Sequence, residues 1–151
     1  MENVRLFMAN LGLSVLGYVV IVVLSLLLVG LMSNMGVSFI GYENLTVLPR
    51  VVLWISVTFN IALLVFLGTR LNLLNTHIIN YISIFGVTIL LICMAYFWQY
   101  GRVFISLPFS MLITILDKVI KNNDFLIATI LAFIPSSAIW LGMLYQSIKL
   151  K

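Results

Sequence analysis

The chain has 151 residues, 64% of them hydrophobic, with a mean hydropathy of +1.25 and only 8 basic and 4 acidic side chains. Its net charge of +4 comes from cations spread along the chain, which excludes the clustered basic face of a nucleic-acid binder. No stretch between the apolar runs is long enough to bury a core of its own, so residues 1–151 form one integral membrane domain.

Residues 11–33 contain no Asp, Glu, Lys or Arg and exceed the roughly 20 residues needed to cross the hydrocarbon layer as a helix. Arg5 precedes this run as in a secretory signal. The run is nevertheless too long for a signal core and lacks a clean cleavage site, so it reads as a retained first helix. Residues 34–50, with Gly36, Gly41 and Pro49, are predicted as a loop. Within them Asn44-Leu45-Thr46 matches the glycosylation acceptor pattern, which matters only for a lumenal loop.

The second charge-free run, 51–69, opens after Pro49-Arg50 and closes at Arg70. Its one strongly polar residue is Asn60, near the midpoint, with Ser56, Thr58, Ser83 and Thr88 as expected partners. The short polar turn 70–77 predicts an antiparallel hairpin with the third run, 78–98. That run closes in Tyr96, Trp98 and Tyr100, amphipathic aromatics that favour the headgroup level, followed by Arg102. Cys93, the only cysteine, falls inside the run and reads as a small buried hydrophobe.

Residues 103–120 are ambiguous. Their charge-free part, 103–116, is short for a span, and Ser106, Ser110, Thr114, Asp117 or Lys118, and Lys121 recur at helical spacing. We expect a short fifth span whose polar stripe faces other helices; the alternative is an interfacial helix lying on the membrane. The last run, 125–148, carries Pro135, which predicts a kink, with Ser136 and Ser137 bonding the freed carbonyls. Ala128, Ala132 and Ser136, and then Ala138 and Gly142, repeat every four residues as a helix-packing surface.

The expected fold is therefore an all-α polytopic helical membrane bundle. It has four transmembrane helices (11–33, 51–69, 78–98, 125–148) and a short fifth (103–120), or that segment as an interfacial helix. Four cations fall on each side under either arrangement, so the positive-inside asymmetry assigns no orientation. His77 is the only histidine, and no His/Cys/Asp/Glu spacing suits a metal or haem, so no cofactor is expected. No nucleophile has a base and orienting acid, so no enzyme activity is expected either.

Two functions fit these features. The favoured one is a non-enzymatic subunit, accessory, regulatory or immunity-type, that acts by helix contacts with another membrane protein or a second copy of itself. The other is a small oligomeric transporter or channel for a neutral or weakly polar solute, with Asn60, Ser106, Ser110, Thr114 and Ser136 lining its path. Both place the chain in the lipid bilayer, by expectation a bacterial cytoplasmic membrane.

Overall fold

The computed structural model describes residues 2–40, 48–71, 77–98, 101–120 and 123–149. Among them every regular element is helical: α1 (Glu2–Ile40), α2 (Leu48–Gly68), α3 (His77–Phe97), α4 (Gly101–Ser106), α5 (Ser110–Ile120) and α6 (Asp124–Lys149). A 3-10 turn, Leu107–Phe109, joins α4 to α5. Helices satisfy every backbone group within the segment, which hydrocarbon demands because it offers no hydrogen-bonding partner.

Three helices contain stretches long and apolar enough to cross a membrane: Val4–Met32, Arg50–Gly68 and Asp124–Lys149. The chain is an integral membrane protein. The described apolar part of α3, Tyr81–Phe97, is shorter, so the expectation of four equivalent spans exceeds what length and composition support. Burial fits a lipid solvent. Val20, Leu27 and Leu31 are exposed, while Ser14, Ser25, Ser56, Asn60, Ser83, Thr88 and Ser136 are buried. Aliphatic side chains lose nothing by facing lipid tails, whereas polar groups gain by finding one another.

Specific contacts fix the helix directions. Gly17 meets Leu67, and Ser25 bonds Asn60, so α1 and α2 are antiparallel. Tyr81 stacks on Trp140, Phe85 on Phe133 and Tyr96 on Phe125, which makes α3 and α6 antiparallel along most of their length. Gly68 abuts Gly142, and Gln146, with its amide nitrogen turned toward acceptors, reaches Thr69 O and Leu71 O at 3.1 and 3.2 Å. Helices α2 and α6 therefore run parallel.

Since α3 ends at Tyr96 beside the Phe125 that opens α6, the intervening residues leave and rejoin the same end of the bundle. This corrects the expected fifth span, which would have made α3 and α6 parallel. The segment is not a plain surface helix either. Gly101, Ile105, Pro108 and Phe109 are buried, and Pro108 carries its carbonyl to Asn60, near the middle of α2. Beyond this tip α5 has no buried residue, and its Thr114, Asp117 and Lys118 are exposed. The expected polar stripe does not pack as a unit against other helices: Thr114 and Lys118 are exposed, whereas Ser106 and Asp117 border a cleft beside α6.

Other boundaries shift. Residues 34–40, expected as loop, continue α1, and Pro49 lies inside the first turn of α2, where its missing N–H is no loss. Helix α6 runs unbroken through Pro135, and Ser137 bonds Phe133 O at 2.9 Å instead of the carbonyl left by the proline. Cys93 is exposed on α3, where a buried thiol was expected. The Asn44-Leu45-Thr46 site, most of the 70–77 turn, Tyr100 and Lys121 lie outside the described residues.

Candidate functional site

The bundle interior is organised around Asn60, whose side chain is fully buried. A carbonyl can only accept, so the Asn60 Nδ2 must face Pro108 O, to which it donates at 2.9 Å. A second, weaker bond runs from Nδ2 to Ser56 Oγ at 3.4 Å. On the opposite side Ser25 Oγ lies 2.6 Å from Asn60 Oδ1 and 2.8 Å from Ile21 O, two acceptors for one proton. One amide thus ties α1, α2 and the tip of the descending segment together. Irregular backbone is tolerated at membrane depth when protein surrounds it. Here Pro108 and Phe109 are buried, and the Pro108 carbonyl has its donor.

A second polar contact joins α3 to α6. Thr88 Oγ1 and Ser136 Oγ are 2.5 Å apart, and Ser136 Oγ lies 3.3 Å from Ile84 O. With Ser136 donating to the Ile84 carbonyl, Thr88 donates to Ser136, and both hydroxyl protons are used. Of the partners expected for Asn60, Ser56 reaches it. Thr58 is exposed and bonds Trp54 O at 3.0 Å, and Thr88 belongs to Ser136.

The five residues expected to line a solute path therefore do not converge. Asn60 and Ser136 sit in separate hydrogen-bond groups, Ser110 is half-buried, and Thr114 is exposed. Ser106 lines a cleft beside the start of α6. The five expected packing residues behave uniformly: Ala128, Ala132, Ser136, Ala138 and Gly142 are all buried. Gly142 is the tightest. A Cβ there would overlap Val65 O, and one on Gly68 would overlap Ile139 O.

Two features escaped the sequence reading. Pro108 stands in plain view within the 103–116 run, and a proline there signals a helix boundary. Tyr18, read as part of a featureless helix, is 2% exposed, packs edge-on to Phe104 at 5.8 Å, and its hydroxyl has no hydrogen-bond partner among the described residues.

The cleft lies between the descending segment and the start of α6 and has a volume of about 250 Å³. Arg102, Ser106, Ile113 and Asp117 form one wall; Asp124, Ile127, Ala128 and Leu131 form the other. Arg102 Nε donates to Ala95 O at 3.4 Å, which leans the guanidinium against the end of α3. Among the described residues no group of three His, Cys, Asp or Glu could hold a metal ion. Comparison of the chain with protein-family models, curated proteins and solved structures returned no match.

Proposed function

We propose that this chain is a non-enzymatic protein of a bacterial cytoplasmic membrane that crosses the bilayer four times. It acts through helix contacts as an accessory, regulatory or immunity-type subunit of a membrane assembly. The observation that carries this reading is the state of the interior polar groups. Asn60 and Ser136, the deepest of the expected solute ligands, already bond Ser25, Pro108, Thr88 and Ile84. A solute would have to displace bonds that hold the helices together. The outward side of α1 offers aliphatic surface instead, with Leu16, Val20, Val23, Leu27 and Leu31 exposed, and a neighbouring helix can pack there by dispersion contacts.

Four crossings follow if α3 spans. Its 21 residues are about 31 Å long at 1.5 Å per residue, and it lies alongside α6 from Tyr81 to Tyr96. One observation favours the carrier reading: the broken segment reaches the middle of the bundle, the depth at which discontinuous helices bind solutes in transporters. Isolation from membranes in mild detergent followed by mass spectrometry separates the two. Stoichiometric recovery of a second membrane protein, or of a stable multimer, supports the subunit. A partner-free particle that moves a neutral solute across vesicle membranes overturns it in favour of the carrier.

A further inference from the structure

We propose that the cleft between the descending segment and α6 binds the zwitterionic headgroup of a phospholipid bearing a primary ammonium, with phosphate on Arg102 and ammonium on Asp117 and Asp124. This goes beyond the subunit reading and does not depend on it. The cleft brings together one of the 8 cations and two of the 4 acidic residues of the chain. Among the described residues no ion pair joins Arg102 to either carboxylate, so charges of both signs face one cavity without neutralising each other. A ligand carrying both charges complements this arrangement; an anion alone would meet two carboxylates.

The position of the cleft matches the headgroup level. Tyr96, Phe97 and Trp98 are exposed at the end of α3, and Tyr96 stacks on Phe125, the neighbour of Asp124. Such aromatic clusters settle where hydrocarbon meets water. Ile127, Ala128 and Leu131 supply an apolar floor for the part of the lipid next to its headgroup, and all three are buried. The volume of about 250 Å³ is below the roughly 300 Å³ at which drug-sized pockets begin, and suits a headgroup.

The lining also selects the ammonium. Quaternary ammonium groups are held over aromatic faces, and none of the lining residues is aromatic. A primary ammonium instead donates its N–H bonds to carboxylates, which only accept. Phosphatidylethanolamine is therefore favoured over phosphatidylcholine, which lacks those donors, and over phosphatidylglycerol, which lacks the cation.

The test is native mass spectrometry of the detergent-purified chain given equimolar phosphatidylethanolamine, phosphatidylcholine and phosphatidylglycerol. The native chain should retain the ethanolamine lipid about tenfold better than either competitor, as expected for charge-assisted hydrogen bonds. Arg102→Gln should lower that retention by about the same factor. Asp117→Asn combined with Asp124→Asn should abolish the preference over phosphatidylglycerol. These side chains are exposed, and melting temperatures of the variants will show that they fold. Equal retention of the three lipids by the native chain, or retention unmoved in either variant, overturns the proposal. Soluble phosphoethanolamine binding as tightly as the lipid also overturns it, by assigning the cleft to a water-soluble zwitterion.

Discussion

Asn60 shows how far one amide can be stretched across a membrane bundle: acceptor toward α1, donor toward the Pro108 carbonyl. Asn60→Leu removes both functions and leaves a buried carbonyl without a donor. The expected loss is about 1–2 kcal/mol, read as a lower melting temperature in detergent. Ser25→Ala should cost less than Asn60→Leu, because Asn60 keeps its bond to Pro108 and Ser25 already shares its proton with Ile21 O. If the order of the two variants were reversed, Pro108 would not be the important partner. Tyr18 predicts the opposite sign. Its hydroxyl is buried without a partner among the described residues, so Tyr18→Phe should leave stability unchanged or raise it by up to about 1 kcal/mol. The identity of Asn60 as a packing residue was legible, since a lone amide in an apolar run needs a partner. Of its partners only Ser56, one turn away, was legible. Ser25 and Pro108 lie 35 and 48 residues away, and only the helix arrangement brings them together.

At the scale of elements, α2 and α6 meet backbone to backbone at Gly68 and Gly142. Gly142→Ala places a methyl inside the α2 backbone at Val65 O, an atom that has no rotamer by which to retreat. The helices must separate there, at a cost of about 1–3 kcal/mol. Gly12 and Gly30 on α1 are the internal control, because a Cβ on either meets nothing within 4 Å. Gly12→Ala and Gly30→Ala should be neutral or stabilising by up to about 1 kcal/mol, through lower backbone entropy in the unfolded chain. Thermal denaturation of the three alanine variants side by side checks the contrast. Spacing on α6 pointed to Gly142, but nothing in α2 marked Gly68 as its counterpart. The descending segment shows the converse. Pro108 is readable as a break, yet the length of the charge-free run measures how far a helix reaches without saying whether it turns back.

For the whole molecule, the direction of α6 relative to α3 decides the topology. The charge-free runs located α2, α3 and α6 to within a few residues, whereas α1 begins earlier, at Glu2, and runs on to Ile40. They assigned no orientation, because the cations at the helix ends are equally numerous on both sides. The antiparallel α3 and α6 predict that Gln99→Cys and Asn122→Cys will react with a membrane-impermeant thiol reagent from the same side. The exposed Cys93 must first be replaced by Ala as the background. Reaction from opposite sides would restore the fifth span and overturn the arrangement described above.

The seat for Pro108 has a consequence for biosynthesis. Ser25 and Asn60 both belong to the α1–α2 hairpin, which leaves the ribosome long before the segment it receives. Helix α6, which packs against both limbs of the segment, is made after it. The proline tip therefore docks on a surface that already exists, and α6 then packs against the limbs α4 and α5 on either side of it. Until that moment the segment would wait at the membrane boundary with its apolar limb uncovered. In a chain stalled before residue 124, that limb is the part most open to a membrane chaperone or to a protease that removes unfinished proteins.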